Sequence, residues 1–247
     1  MFKARKSYIF LAISTLALGG CQVQSKSEIY LSDVKRVAME DVELSTPLTF
    51  RFEIASSSEC QSAIAALEPA LGQYYQSVDM RGCENEGVYS FVVARVMASM
   101  VRLDSEKAET IDQPVYLTVM QWDDVEALAV GFASTPASIV DFQAALPERA
   151  TDFVRKEPDI RLSATVHNDM SGVVDIIVQS AIVNQYPVAP PFSVTYKVSR
   201  RDKLEVVLSD VANAAFVRHD QPGLIATLPF AALGLSTEAP GSDPQSP

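Results

Sequence analysis

Alternation of apolar and polar side chains dominates this chain beyond residue 45. Residues 47–54 place Leu48, Phe50, Phe52 and Ile54 on one face and Thr49, Arg51 and Glu53 on the other. A period of two marks a half-buried strand. Residues 88–103 read as a long strand, with Tyr89, Phe91, Val93 and Arg95 facing one way and Ser90, Val92, Ala94 and Val96 the other. Both faces are largely apolar, so a central position is expected. A short strand is expected at 78–81, ahead of a polar turn at 84–87. Residues 115–121 and 126–132 predict two more strands, separated by a turn at Trp122-Asp123-Asp124. From residue 160 onward the pattern is almost all strand. Residues 161–167 are expected to pair with 173–184 through a turn at 168–172, and 192–199 with 203–209 across Arg200-Arg201-Asp202; 224–230 closes the set.

Helical periodicity is confined to three places. Ser32 is placed to cap a short helix over 33–40. A second helix starts at Ser58 or Glu59 and runs to residue 75, with Ile64, Leu67 and Leu71 on one face. Pro69 inside it predicts a kink or an early stop. Thr135-Pro136 opens a third, a capping residue followed by proline at the first helical position, running from 137 towards 146. Each half of the chain thus sets a helix (60–75, 136–150) before strand hairpins, although nothing repeats residue by residue. The expected fold class is α+β: antiparallel sheet with two or three helices packed on it, the C-terminal part mostly β and able to form a small sandwich. Residues 28–235 form the body, as one unit or as two packed halves, 28–155 and 156–235. Residues 236–247, rich in Pro, Ser, Gly and acid, read as a disordered tail.

The N-terminus changes the setting. Lys3, Arg5 and Lys6 precede an apolar run over residues 8–18, which ends in Leu18-Gly19-Gly20-Cys21. That order is a secretory signal over residues 1–20. The run is too short for a membrane-spanning helix, which needs about 20 apolar residues, and no Ala-x-Ala site closes it. Cysteine after Leu-Gly-Gly resembles the lipobox of bacterial lipoproteins. The resemblance implies that Cys21 is acylated and becomes the first residue of the mature chain. Gln22 stands where an aspartate would retain such proteins at the inner membrane, which implies the periplasmic face of the outer membrane. Residues 21–27, Cys-Gln-Val-Gln-Ser-Lys-Ser, then form a short lipidated tether. Two cysteines remain, Cys60 and Cys83, and in an oxidising compartment they are expected to pair.

Loss of the signal's three cations leaves 17 basic against 31 acidic residues, a net charge of −14. That excludes a nucleic-acid partner, which needs a basic stripe, and argues against broad adhesion to anionic headgroups. Chemistry-bearing motifs are scarce. The two histidines, His167 and His219, are far apart and read as exposed loop residues; a hydrolytic zinc site normally needs three protein ligands. No Gly-x-Ser-x-Gly elbow, free thiol or Gly-rich phosphate loop is present. Asp123-Asp124 and Asn168-Asp169 lack the rhythm of a calcium loop. No cofactor, no metal and no enzymatic activity are expected. Aromatic residues are the best candidates for recognition: Tyr74 and Tyr75 at a helix end, Trp122, and Tyr186 and Phe192 flanking Pro187-Val188-Ala189-Pro190-Pro191.

A lipobox, then Leu31-Ser32-Asp33-Val34, then Thr46-Pro47-Leu48-Thr49-Phe50 leading through a strand to Cys60 resembles a family of uncharacterised lipoproteins carried by prophages and other mobile elements. Cys83 and Ser163-Ala164-Thr165-Val166-His167-Asn168-Asp169 fit the same outline. The resemblance implies an accessory envelope protein, one that protects its host against phage or plasmid. Expected partners are the membrane, through the lipid, and an envelope protein. The alternative is a lipid or small-molecule ligand in an apolar cavity lined by Phe91, Val93 and Ile176. A third reading, a hydrolase, requires His167 or His219 beside a carboxylate and a serine.

Overall fold

A computed structural model describes residues 22–134, 159–219 and 221–235. The signal segment, Cys21, the helix expected at 137–146 and the tail at 236–247 lie outside them. The strands are β1 (Gln22–Tyr30), β2 (Leu44–Ile54), β3 (Val78–Glu86), β4 (Tyr89–Arg102), β5 (Tyr116–Trp122), β6 (Ala127–Ala133), β7 (Asp159–His167), β8 (Val174–Val183), β9 (Tyr186–Val198), β10 (Lys203–Leu208) and β11 (Gly223–Pro229). The helices are α1 (Leu31–Glu40), α2 (Cys60–Gly72), the single turn α3 (Glu106–Glu109) and α4 (Asp210–His219). All eleven strands belong to one sheet, ordered β10-β7-β1-β2-β4-β5-β6-β11-β8-β9. Because β10 also pairs with β8, the ladder returns on itself and closes a barrel. Two strands stand outside that circuit, β3 on β4 and β9 on β8. Closure removes most of the unpaired backbone that an open sheet leaves at its edges.

Alternation decides what enters the barrel. Leu48, Phe50, Phe52 and Ile54 of β2 point inward beside Val92, Ala94, Val96, Ala98 and Met100 of β4. Leu162, Ala164 and Val166 of β7 and Leu204, Val206 and Leu208 of β10 continue the same core. Full burial of a Leu, Val or Phe side chain contributes about 1.5–3 kcal/mol, so this shared interior dominates stability. α1 adds Leu31, Val34, Val37 and Ala38, spaced three and four apart, and α2 adds Leu67, Ala70 and Leu71. α2 passes through Pro69 and stops at Gly72, short of residue 75.

Cys60, opening α2, is bonded to Cys83 in β3, with Cα atoms 6.1 Å apart. The bridge ties α2 to a strand that pairs only with β4 among the described residues. Chain-entropy arguments put the stabilisation of such a loop at about 3 kcal/mol. Cys60→Ser/Cys83→Ser is therefore expected to lower the Tm by about 6–12 °C, at about 2–4 °C per kcal/mol for a chain of this size. Calorimetry with and without reductant checks it: reductant should lower the parent's Tm to the variant's and leave the variant unmoved.

Several expectations are corrected. Residues 22–27 are no tether. They are the first two-thirds of β1, paired antiparallel with β2 and parallel with β7. β7 does not pair with β8, nor β9 with β10; β7 lies between β1 and β10, and β9 lies on β8. The sheet is mixed, with β1–β7 and β4–β5 parallel. β7 to β11 form no sandwich of their own, since they complete the same barrel. The strand expected at 78–81 continues to Glu86, and the hairpin turns at Gly87-Val88 with Gly87 at φ +62°. The stretch expected as a loop around His219 lies in α4, which ends at that residue. Ser32 is not a cap. It sits inside α1, where its N–H donates to Asp169 Oδ1 at 3.0 Å and its hydroxyl donates to Asp169 Oδ2. A carboxylate from the β7–β8 loop thus serves the helix start.

Candidate functional site

The outward side chains of β7, β1, β2 and β4 form a second surface, opposite in character to the core. Register lines them up in rows across the sheet. Ser163, Lys26, Thr49 and Arg95 make one row, ending at Asp79 of β3. Arg161, Gln24 and Arg51 make the next, and Thr165 and Glu28 begin a third. Curvature and the overhang of β3 turn these rows into a groove of ≈ 480 Å³ lined by Gln24, Lys26, Glu28, Pro47, Thr49, Arg51, Arg81, Arg95 and Ser163. Four cations and one carboxylate line it, on a chain of net charge −11.

The cations differ in how firmly they are held. Arg51 is pinned: Nη1 donates to Gln24 Oε1 at 2.9 Å, Nη2 to Glu86 at 2.9 Å, Nε lies 3.4 Å from Glu84, and the guanidinium rests 4.3 Å above the Phe91 ring. Planar arginine suits such a stacked, forked position. Arg81 pairs with Asp79 at 2.7 Å, and Lys26 lies 3.7 Å from Glu205 at the groove's margin. Arg95 has Asp79 as its cross-strand neighbour, but Arg81 engages that carboxylate. Arg95 is exposed and without an ion pair among the described residues. It is the free charge in a row of hydroxyl and ammonium donors, an arrangement that receives an anion by charge-assisted hydrogen bonds.

The Lys26 row continues beyond Ser163 in apolar residues: Val207 of β10, Ile182 of β8 and Pro187 of β9, all exposed. β9 carries Tyr186 and Phe192, 75% and 70% exposed. Both expected aromatic contacts are thus presented to solvent rather than docked on the core. β9, which pairs only with β8 among the described residues, holds Pro187, Pro190 and Pro191, which lack donors and discourage pairing with a further strand. This face offers side chains, not backbone.

Other candidates take structural roles. Tyr75 is buried, and its hydroxyl donates to the Val115 carbonyl at 2.9 Å; burial pushes its phenol far above the ordinary value. Tyr74 packs against the core, and Trp122 is half-buried at the end of β5. Neither tyrosine joins the groove. Asn168 is buried and clamps the β7–β8 loop, donating to the Gly172 and Val198 carbonyls at 2.8 and 2.7 Å. His167 is not a loop residue: it ends β7, contacts Glu28 through Nε2 and stacks on Tyr30 at 4.8 Å. The nearest serine along that strand face, Ser163, lies about 13 Å away and donates to the Ser25 carbonyl at 3.2 Å. Among the described residues no three His, Cys, Asp or Glu side chains gather as a metal site would require. A second concavity of ≈ 280 Å³ is lined by Met39, Gln121, Leu128, Phe230, Gly234 and Leu235, and neither concavity is lined by Phe91, Val93 or Ile176.

Asp33, near the capping contact, is held above its ordinary 3.8, first by burial and then by the charge of Asp169, with Arg36 acting the other way. A raised carboxyl pKa means that the fold retains this proton more tightly than the unfolded chain does. The stability from this group is present below 3.8 and is lost as pH rises through the folded value. Asp33→Asn should accordingly be more stable than the parent at pH 7, with the gap narrowing as pH falls towards about 4. Urea midpoints across that range measure it.

The groove residues were not singled out from sequence, because Lys26, Thr49, Arg95 and Ser163 meet only through register. The available signal was the polar face of 47–54, which does carry Thr49 and Arg51. A family model described as a domain of unknown function, DUF7424, matches residues 23–232. No curated protein matches the chain. Among solved structures, the NMR structure of the folded domain of Mycobacterium tuberculosis LppM is similar over 77% of this chain and 90% of that one, at 11% identity and a TM-score of 0.26.

Proposed function

The chain belongs to the DUF7424 family, and from that premise we propose that it is a lipid-anchored lipoprotein of the cell envelope, a binding module without catalysis that holds an envelope protein through the outer face of its barrel. One observation carries the reading: four cations collected in a groove of a strongly acidic chain, beside a strip of exposed apolar residues. Such a face complements a segment with acidic and apolar side chains, and opposite charge speeds and orients the encounter. Anchoring through Cys21, on the periplasmic face of the outer membrane, confines module and partner to one layer and raises their effective concentration. The accessory proteins of prophages and mobile elements that the motifs resemble supply a setting, defence of the host envelope.

A photo-crosslinking residue at Thr49, compared in intact cells with one at Glu109 on α3, tests this. The expected result is an envelope-protein adduct from position 49 alone, lost in Lys26→Glu/Arg95→Glu. Adducts indifferent to that charge reversal would remove the groove from the proposal, and recovered phospholipid would replace the protein partner by a lipid ligand. Palmitate labelling of the parent but not of Cys21→Ser tests the anchor separately.

A further inference from the structure

We infer that the tip of the β3–β4 hairpin, Val88 and Tyr89, is a second contact with the bilayer, set beside the lipid on Cys21 and fixing the barrel's orientation. The inference rests on the lipoprotein reading above. It starts from β1, which begins at Gln22 and is paired along its length. A lipid on residue 21 is thus one peptide unit, about 3.8 Å, from a rigid strand. With no slack between them, whatever lies at this end of the barrel lies at the membrane.

Register says what that is. Val23 is level with Phe52 and Val92, so Gln22 is level with Glu53 and Phe91, and its N–H donates to the Glu53 carboxylate at 3.0 Å. The hairpin runs on past this level. Tyr89 lies two residues further out, about 7 Å, and Val88 lies beyond it. Val88 is 92% exposed and Tyr89 54%. A valine beside Gly87 in a two-residue turn, where polar residues are the rule, leaves its whole side chain in water unless something covers it. Of the nearby carboxylates, Glu84 and Glu86 share the one charge of Arg51, and Glu53 accepts the Gln22 N–H. The Tyr89 ring lies 6.5 Å from that of Phe91, tilted at 41°, which gives the tip an aromatic support. A tyrosine with an apolar neighbour is the pair that settles at the headgroup level of a bilayer.

The native Trp122 supplies the control. β5 runs parallel to β4 at the far end of that strand, on the order of 40 Å from the tip. Full-length acylated protein is placed in phosphatidylethanolamine and phosphatidylcholine vesicles with brominated chains, as the parent and as Tyr89→Trp in a Trp122→Phe background. Emission from position 89 should fall at least about twofold and shift to the blue, while Trp122 in the parent stays unquenched. If Trp122→Phe fails to fold, Tyr89→Trp in the parent gives the same readout after the Trp122 signal is subtracted. An acylated protein whose position 89 is quenched no more than Trp122 overturns the tip contact and leaves the anchor standing. An intact mass without lipid overturns the anchor, and this proposal with it.

Discussion

Gly131→Ala should lose on the order of 4 kcal/mol, among the largest effects any single methyl group can have on this chain. Gly131 sits in β6 opposite Leu224 of β11, beside an irregularity in the ladder between Leu224 and Ala226. A Cβ there would meet the Gly223 carbonyl oxygen at 2.6 Å, its carbon at 3.1 Å and the Leu224 Cα at 3.2 Å. All three are backbone atoms, so no side chain can rotate away, and relief requires β11 to move off β6. β11 is the strand that carries the ladder from β6 to β8, so this is also where the barrel would open. Gly172 is the matched control: nothing lies within 4 Å of a Cβ at that position. Gly172→Ala should fall within about 0.5 kcal/mol of the parent. Urea unfolding of both variants measures the difference, and amide exchange should show protection lost first in β6 and β11. A Gly131→Ala protein as stable as the parent would mean that the two strands do not approach this closely.

Phe216→Ala is expected to cost about 3–5 kcal/mol. Among the described side chains of α4, Phe216 is the one large side chain buried completely. It packs by Gly223, where a Cβ would find the Phe216 ring at 3.7 Å and the Leu162 and Leu208 methyls at 3.1 and 2.8 Å. The missing side chain at Gly223 makes the room that Phe216, Leu162 and Leu208 fill. Three residues earlier in the helix, the Asn213 carboxamide bridges two strands. The Leu162 N–H donates to its oxygen at 3.1 Å, and its nitrogen donates to the Leu208 carbonyl at 3.1 Å. Asn213 therefore supplies a rung where the β7–β10 ladder ends at Ser163 and Val207. Both residues hold one helix against one seam, so Phe216→Ala and Asn213→Ala should be less than additive. Strict additivity in a double-mutant cycle would show that α4 does not dock as a unit.

How much of this was legible in the sequence varies from strand to strand, for identifiable reasons. β2 and β4 were readable because their inward positions are filled by Phe, Leu, Ile and Val, which make the period of two visible. β1 obeys the same period but puts Ser25 and Ser27 inside the barrel, both fully buried. With small hydroxyl residues inward and Gln, Lys and Glu outward, it carries almost no hydropathy signal and reads as a polar linker. α4 was hidden in another way, since its buried face is one phenylalanine, an asparagine and alanines. The pairing errors have a topological cause. Adjacent strands joined by short turns usually pair, yet β7 takes β1 as a neighbour instead of β8. No local pattern announces a partner so distant in the chain. The groove inherits that difficulty, because its floor exists only once β7, β1, β2 and β4 stand side by side. Cys60 and Cys83 were simpler, because with Cys21 read as part of a lipobox only two thiols are left to pair.

The placing of β1 also bears on how the protein is made. Gln22 to Tyr30 are synthesised well before Asp159 to His167, which complete one flank of that strand. The amino-terminal segment must therefore wait, unsatisfied along one side, while most of the polypeptide is still arriving. Contacts so remote in sequence slow folding and leave a sticky ribbon exposed meanwhile. Its sparse hydrophobicity, the very trait that disguised it as a linker, suits a ribbon that has to linger in water without seizing the wrong neighbour.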